Sequence, residues 1–420
     1  MIEKVIMEGV LAIGDIIVGV DISFSRISVA MGKINNFNQV ELIAVSNKKC
    51  KAYDKFGLNE VEVIPALTEV IEKVEEKSNL KIYSAHLTIP SKEAKILQRQ
   101  VSKQIDIQQN NTITKEDVIS LIIDVAEKEK SETDTLIELI PDKFMLDDGT
   151  IVEDPIGLKT TSLTILSQVI TAKKSYIQKL QNIFKKINIE IDTFIPIPLI
   201  NKSFFLEPQE KNDNVLIVDV GAKTTEIGLF LGGTYIYQNT FDFGGDHITN
   251  DLAYVFQISK EEADSLKHTY GIALKSYIEN DNTILLSTVP ENRQTPNKIK
   301  ISNLVEIIEG RIEDMFNQIN QDLKNKGIKN FIDLIVLCGQ GVNKIEKSDL
   351  LAKVVLNIPV KYSTSKLIDI IYPEYHTVYG MIKYLSLKKY ARTVSSNIGE
   401  KQENTKIKRI IEKIKDFFYS

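Results

Sequence analysis

The chain is poor in the residues that build metal and redox sites: it has no tryptophan, two cysteines and four histidines in 420 residues. Cys50 and Cys338 lie far apart without the spacing of a zinc site, which indicates two reduced thiols in a cytosolic protein. The histidines form no H-x-x-x-H or H-E-x-x-H pattern. The sequence therefore predicts no metal site made of histidine and cysteine.

Long apolar runs and an excess of positive charge are also lacking. No stretch approaches the ~20 apolar residues that a membrane-spanning helix needs, and Glu3 and Glu8 precede the first apolar run, unlike a secretory signal. A net charge of −5 argues against a nucleic-acid partner bound through bulk charge. With 43% hydrophobic residues, the chain is expected to be globular, with two to four subdomains, because single cores stop growing near ~250–300 residues.

Several well-known catalytic and nucleotide motifs are missing. There is no G-x-x-x-x-G-K-[ST], no G-x-G-x-x-G, no G-x-S-x-G and no Cys–His pair suited to a hydrolase. If the protein binds a nucleotide, other loops must do it.

The hydrophobic periodicity predicts an alternation of strands and helices. Residues 91–112 are polar, with only weak alternation, and Thr114 followed by Asp117 resembles a helix capping box. The predicted elements are a hairpin over 15–34, helices over 60–77, 114–130 and 174–189, strands over 82–90, 135–146 and 161–171, three strands within 214–241, helices over 248–256, 260–268 and 301–324, and a strand over 331–338.

Two predicted strands share one layout. Each is apolar, ends in an aspartate (Asp21 or Asp219), and leads through a turn of small residues into a second strand. Such a distant repeat favours two related α/β halves that face each other.

The turn after Asp219 has the residues of a phosphate loop. In "VDVGAKTTEIG", Asp219 could hold Mg²⁺ through water, and Gly221 and Ala222 allow a close approach. Lys223, Thr224 and Thr225 could donate hydrogen bonds to phosphate. An ordinary hairpin with a glycine turn is the alternative interpretation.

Two later glycine turns fit the same chemistry. Gly244 and Gly245 precede Asp246 at a helix start that could receive a phosphate or a ribose. The turn of Gly339, Gln340 and Gly341 follows an apolar strand and could pass flat beside an adenine. Each turn alone is also typical of plain loops. The order of all four segments is that of the actin, sugar-kinase and heat-shock-chaperone ATPase superfamily.

Within that superfamily the sequence resembles the FtsA family of bacterial division proteins over nearly its whole length. The most specific motif is "FDFGGDHITNDLA", close to a family signature. "IPDKFMLDDGTIVEDPIGL" resembles the family's inserted subdomain, called 1C, and "ADSLKHTYG" resembles a family helix that would place Asp264 and Lys267 near the ribose.

The resemblance implies an α/β, actin-like fold: a duplicated, RNase-H-like, two-domain ATPase with an FtsA-type 1C subdomain. The implied division is 15–83, 172–208 and 366–392 for subdomain 1A, 84–171 for 1C, 209–252 and 331–365 for 2A, 253–330 for 2B, 393–405 for a linker and 406–420 for a terminal helix.

The resemblance also implies function. Such a protein binds ATP and Mg²⁺, with Asp21 and Asp219 on the metal side, polymerises on the cytoplasmic membrane face at the septum, and anchors the FtsZ ring with other division proteins. The FtsZ tail would bind subdomain 2B, where the basic residues are Arg293, Lys298, Lys300 and Arg311.

Three departures from the family pattern bear on catalysis. The first phosphate loop has Ser23, Phe24 and Ser25 after Asp21-Ile22, where the family has a glycine followed by serine or threonine. The ribose-side glutamate is Asp264, and the last turn is Gly-Gln-Gly. A serine with a bulky neighbour could crowd a phosphate or force other backbone angles. We therefore expect nucleotide binding with weak hydrolysis at most.

The segment 406–420 is predicted to be an amphipathic helix on a polar linker. It could pack on the protein itself, bind a partner, or lie in an anionic membrane surface, and the basic bias favours the last. The predicted membrane-binding residues are Ile407, Lys408, Arg409, Ile410, Ile411, Ile414, Phe417 and Phe418.

Two other functions stay open from sequence. One is an actin-like scaffold with little or no ATPase activity and another partner, such as a pilus-assembly platform or a division paralogue. The other is a metabolic kinase of the same superfamily, which would need a catalytic aspartate that the sequence does not reveal.

Overall fold

The computed structural model describes residues 16–34, 40–54, 57–106, 110–129, 131–207, 210, 213–287, 298–342, 344–362 and 372–387. The described residues form two compact units: those up to residue 204 and from residue 374 onward belong to unit 1, and those between 205 and 373 belong to unit 2. The predicted linker, the terminal helix 406–420 and Arg293 lie outside the described residues.

The strands and helices up to residue 205 are β1 (Ile16–Ile22), β2 (Arg26–Ile34), β3 (Val40–Lys49), β4 (Tyr53–Asp54), β5 (Gly57–Leu58), α1 (Glu60–Ser78), β6 (Ser84–Ile89), β7 (Ala94–Gln104), α2 (Lys115–Lys128), β8 (Asp134–Leu146), β9 (Ile151–Val152), β10 (Ser162–Lys173), α3 (Lys174–Lys186), β11 (Glu190–Pro196) and α4 (Ile197–Phe205). Those after it are β12 (Val215–Val220), β13 (Thr225–Leu231), β14 (Thr234–Phe241), α5 (Gly245–Phe256), α6 (Lys260–Tyr270), β15 (Thr283–Leu285), β16 (Lys298–Lys300), α7 (Ile301–Asn325), β17 (Leu334–Cys338), α8 (Ser348–Leu356), β18 (Val360–Tyr362) and α9 (His376–Leu387).

The main sheet of unit 1 has the strand order β11-β6-β1-β2-β3. Strands β1 and β2 form the predicted antiparallel hairpin, whereas β6 pairs with β1 and β11 in parallel. Helix α1 packs on β2 and β3 through Leu67, Val70 and Val74, which are fully buried. Val61, one of the apolar residues of the predicted helix, is 81% exposed, because it lies in the first turn, outside the buried stripe.

A second sheet in unit 1 has the order β7-β10-β8-β9 and is antiparallel throughout. Helix α2 packs on it and shares a separate core with β10, through residues such as Leu121, Ile122 and Ile165. The sheet starts at Ala94: the strand Ser84–Ile89, which sequence assigned to subdomain 1C, belongs to the main sheet. The assignment of the chain to named subdomains stays a prediction.

Strand β7 lies in the segment whose weak alternation gave no prediction of a strand. It is an edge strand, and most of its side chains are exposed or only partly buried. An edge strand with one solvent-exposed face needs few apolar residues, so the alternation of apolar and polar residues in its sequence is weak.

Unit 2 repeats the plan of the main sheet of unit 1. Its order is β14-β13-β12-β17-β18, with an antiparallel β12–β13 hairpin and β17 parallel to β12. Asp21 and Asp219 are each the last but one residue of the first strand of their hairpin. The predicted internal repeat is thus confirmed, and all three strands expected within 214–241 are present.

The helices of unit 2 enclose one continuous core. Helix α7 buries a stripe that includes Leu304, Ile308, Ile312, Met315 and Ile319 at helical spacing. Helix α5 begins at Gly245, three residues before the predicted start, and Gly244 is the extended residue that caps it. Among the described residues, no helix is both long and apolar enough to cross a membrane.

Candidate functional site

The turn between β12 and β13 is closed by its own backbone. The Gly221 N–H donates to the Thr224 carbonyl at 2.9 Å, and Asp219 stands just before the turn. In the parallel ladder Asp219 pairs with Cys338. Burial, and then the charge of Asp219, raise the pKa of the Cys338 thiol, so this cysteine stays neutral and structural.

Helix α5 begins directly against this turn. The N–H groups of Gly245 and Asp246 donate to the carbonyls of Gly221 and Ala222, at 2.9 and 2.8 Å. A Cβ at Gly244 would lie 2.5 Å from the Gly221 oxygen, so only glycine permits the approach. Two of the helix's first N–H groups are therefore committed to the protein. Backbone hydrogen bonds thus join the turn to the start of the helix. The N–H groups of Gly245 and Asp246 are not free to donate to a phosphate.

The Gly339–Gly341 turn packs against the same two segments, the turn after β12 and the start of α5. Gly339 has a φ of +93°, in the region that favours glycine, and a Cβ there would lie 2.4 Å from Asp219 Oδ1. The Gly341 N–H donates to the Val220 carbonyl at 2.7 Å, and a Cβ on Gly245 would meet the Gly341 Cα at 2.8 Å. Three loops that are distant in sequence thus meet at the carboxyl ends of β12 and β17. In open α/β sheets, this edge is where ligands bind.

The side chains predicted to act as donors divide into two groups. Lys223 and Gln340 are exposed, and Thr224 is partly buried. Thr225 is fully buried, and its hydroxyl donates to the Phe243 carbonyl at 2.9 Å. The structure therefore places the Thr225 side chain in the support of the loop rather than on its surface.

Lys267, which the resemblance placed near the ribose together with Asp264, is buried, and its ammonium is bound inside the protein. It is 3% exposed, and its Nζ lies 2.7 Å from Thr249 Oγ1 and 3.2 Å from the Gly245 carbonyl oxygen. Its third partner is Asp264 Oδ1, at 2.7 Å. All three donors of the ammonium are used within the protein, because each N–H makes one hydrogen bond.

Asp264 is half exposed and stays available to a ligand. Burial would raise the pKa of its carboxyl, but the hydrogen bond and charge of Lys267 outweigh it and the pKa is lowered. Asp264 is therefore an ionised acceptor, held in place by Lys267.

In unit 1, Asp21 is 7% exposed and accepts a hydrogen bond from Thr88 Oγ1 at 2.7 Å. Ser23 closes the following turn, since its N–H and its hydroxyl both donate to the Arg26 carbonyl at 3.0 Å. Ser23, Phe24 and Ser25 are not among the described residues with a positive φ. The serine in place of the family's glycine thus causes no backbone strain here.

Two further residues, Thr88 and Tyr53, lie close to the turn after Asp21 and were not predicted. Thr88 is the last but one residue of β6, and the parallel register of β6 with β1 brings it to Asp21. Tyr53 packs on Phe24 with ring centroids 4.7 Å apart. Neither position carries a motif, so no sequence signal could have identified them.

The basic residues predicted to bind a partner differ in their surroundings. Lys298 is exposed, and Lys300 lies 3.4 Å from Asp281 with most of its side chain exposed. Arg311 is held by both carboxylate oxygens of Asp251 and also contacts Asp314 at 3.2 Å. An acidic peptide would have to share Arg311 with these aspartates.

Two family models match this chain. "Cell division protein FtsA" matches residues 216–380, and "SHS2 domain inserted in FTSA" matches residues 94–171, the span of the second sheet of unit 1. FtsA of Pseudomonas aeruginosa is 23% identical over 92% of this chain and 93% of its own length. FtsA of Escherichia coli K12 is 22% identical over 88% and 90%, and FtsA of Buchnera aphidicola subsp. Baizongia pistaciae is 27% identical over 84% of both chains.

Solved structures share the fold. A structure of the PilM-PilN type IV pilus biogenesis complex matches with a TM-score of 0.57 and 14% identity, covering 87% of this chain and 97% of that one. MreB5 of Spiroplasma citri bound to ADP matches with a TM-score of 0.53 and 11% identity, covering 89% and 99%. At such identities the likeness concerns the actin-like fold alone. The two family models and the FtsA relatives show that the chain belongs to the FtsA family of cell-division proteins, and the solved structures show its actin-like fold.

Proposed function

We propose that this protein binds Mg-ATP, assembles into filaments on the cytoplasmic face of the membrane, and links the FtsZ ring to that membrane through its terminal helix. The observation that carries the proposal is the junction of three backbone loops in unit 2, where four glycines, Gly244, Gly245, Gly339 and Gly341, each leave no room for a Cβ. A nucleotide could bind where these backbone loops come together beside the carboxylate of Asp219.

The residues fit the nucleotide in chemical terms. Asp21 and Asp219 are carboxylates at strand ends, of the kind that hold Mg²⁺ through water. The turn from Gly221 to Thr224 offers backbone groups and Lys223 to phosphates, and Asp264 is an ionised acceptor for ribose hydroxyls. Bound Mg-ATP would supply the free energy that favours one conformation of the chain over another.

The glycine turn at Gly339–Gly341 would lie beside the adenine. It has no bulky side chain except Gln340, which is exposed, so a flat base could approach the backbone. An MreB5 structure in the same fold carries ADP, which supports nucleotide binding by this architecture.

The partner surface would be the basic side of α7 and β16. Lys298, Lys300 and Arg311 are solvent-accessible to different degrees and could bind the acidic tail of FtsZ. Because Arg311 already contacts Asp251, the gain from an incoming carboxylate would be smaller than for a free arginine.

The membrane attachment rests on residues 406–420, where five basic residues accompany two acidic ones. Each basic residue near an anionic surface contributes about 1 kcal/mol, so one helix binds reversibly. A filament presents many such helices at once, and their effective concentration multiplies the attachment. Assembly and a weak anchor therefore reinforce each other.

Co-sedimentation with anionic liposomes tests the proposal. The full chain should pellet, and more so with Mg-ATP, while a chain ending at Thr405 should stay in solution. Liposomes of neutral lipid, and an Ile410→Glu variant that breaks the apolar stripe, are the controls, and both should abolish pelleting.

If the full chain and the shortened chain both stay in solution on anionic lipid, the membrane proposal is wrong. The terminal helix would then pack on the protein itself or bind a partner, and the scaffold with another partner would explain the fold better.

A further inference from the structure

One part of unit 1 is not used by the function proposed above: the short 3₁₀ helix Ser91–Glu93 that follows β6. Strands β1 and β6 are parallel neighbours, so their carboxyl ends lie at one edge of the sheet. The turn Ser23–Ser25 follows β1 there, and Lys92 follows β6. Lys92 therefore shares the ligand-binding edge of the sheet with the first phosphate loop.

Lys92 lies over two aromatic rings. Its Nζ is 4.8 Å from the centroid of Phe24 and 5.5 Å from that of Tyr53. The Tyr53 hydroxyl is itself fixed, 2.8 Å from the Tyr176 hydroxyl and 3.5 Å from the Ile22 carbonyl oxygen. The ring faces attract the ammonium and hold it beside the turn.

The charge of Lys92 is not neutralised in the part of the chain that the structure describes. The neighbouring lysines are paired: Lys95 lies 2.8 Å from Asp134, and Lys173 lies 3.4 Å from Glu93. Lys92 is exposed, its ammonium lies over the two rings, and among the described residues no ion pair joins it to a carboxylate. An ammonium held in place without a counter-charge suits a phosphate oxygen.

We propose that Lys92 binds a phosphate group of the nucleotide at the turn Ser23–Ser25 of unit 1, and that Phe24 and Tyr53 hold it in position for this. The inference rests on the proposed nucleotide binding and adds a residue to it. Phe24 then does more than add bulk to the loop, because its ring packs against Tyr53 and lies 4.8 Å from the Lys92 ammonium.

Titration calorimetry of the full chain with Mg-ATP, Mg-ADP and adenosine tests this. Lys92→Gln should weaken Mg-ATP about tenfold, as expected for a lost charge-assisted hydrogen bond, and Mg-ADP by less. Adenosine affinity should stay within about twofold, because adenosine has no phosphate, and Lys92→Arg should keep most of the Mg-ATP affinity. Lys95→Gln is the matched control, the same change three residues along in a paired lysine, and it should alter nothing.

Phe24→Leu gives a second measurement. It keeps the apolar bulk and removes the ring face, so Mg-ATP affinity should fall by a smaller factor than in Lys92→Gln. Unchanged Mg-ATP affinity in Lys92→Gln, or an equal loss for adenosine and Mg-ATP, overturns the inference. If the unmodified chain binds none of the nucleotides, the proposed function itself fails, and the role of Lys92 fails with it.

Discussion

At the level of single residues, the glycines of unit 2 decide whether its three loops can meet. Gly244→Ala places a Cβ 2.5 Å from the Gly221 oxygen and 2.6 Å from the Ala222 oxygen. Both contacts are with backbone, which cannot rotate away. We expect the free energy of unfolding of unit 2 to fall by about 1–3 kcal/mol, as overpacking does elsewhere, measured by urea denaturation.

A matched control is Gly310→Ala. Gly310 lies on the exposed side of helix α7, and nothing lies within 4 Å of its Cβ position. Alanine there should raise the free energy of unfolding by about 0.5–1 kcal/mol, through its better helix propensity. A similar loss in both variants would mean that the clash at Gly244 is not the cause.

His268 gives a pH dependence with a definite sign. Burial, and then the charge of Lys267, lower the pKa of its imidazole below the usual 6.5, against the smaller opposing effect of Asp264. The unfolded chain therefore takes up this proton first. The stability of unit 2 should be unaffected above about pH 6.5 and should fall as the pH drops below it.

His268→Gln should reduce the loss of stability of unit 2 between pH 7 and 5. Thermal unfolding measured at a series of pH values checks this. Asp264 acts in a separate window, because its lowered pKa removes stability only as the pH falls below 3.8. Identical pH profiles for the variant and the unmodified chain would show that His268 does not contribute.

At the level of elements, helix α2 shows how local sequence fixes a helix end. The Thr114 hydroxyl accepts the Asp117 N–H, and the Asp117 carboxylate accepts the Thr114 N–H, which completes the predicted capping box. Burial opposes ionisation of Asp117, but the hydrogen bonds from Thr114 outweigh it and lower its pKa.

Thr114→Ala should lower the free energy of unfolding by about 1 kcal/mol, the usual effect of losing a cap. Because α2 covers the second sheet of unit 1, hydrogen exchange should speed up in that sheet and in α2. Thr112→Ala is the control, since its hydroxyl makes only a 3.5 Å contact with the Asn110 carbonyl oxygen. An equal effect of the two changes would contradict a role for the cap.

At the level of the whole molecule, a bound nucleotide should stabilise the native chain against heat. A ligand that binds only the native state adds about 2.7 kcal/mol at a hundred times its dissociation constant. Mg-ATP should therefore raise the melting temperature by several degrees, and Asp219→Asn should remove most of that increase.

Gly310→Ala, far in sequence from the loops, should keep the full increase. An Asp219→Asn variant that responds to Mg-ATP as strongly as the unmodified chain would exclude Asp219 from the magnesium side of the site. No increase in any variant would contradict nucleotide binding as a whole.

Some features of the fold could be predicted from the sequence, and others could not. The hairpins, the amphipathic helices and the repeated Asp-ended strands follow from short-range periodicity, and the structure has them near the predicted bounds. Strand β7 was not predicted, because the sequence of an edge strand with one exposed face has little hydrophobic periodicity. The three glycine turns and their order were also readable, because close backbone approach requires glycine whatever surrounds it.

By itself, then, the sequence determined the two hairpins, most of the amphipathic helices, the duplicated plan and the loops of the candidate site. Only the tertiary structure decided which polar side chains are hydrogen-bonded inside the protein. Lys267 and Thr225 look like ligand residues in sequence, yet their polar groups are bound inside unit 2. Thr88 reaches Asp21 across 67 residues, and Lys92 reaches Phe24 through a parallel strand pair. Periodicity records only neighbours along the chain, whereas hydrogen bonds and ring contacts depend on which strands lie side by side.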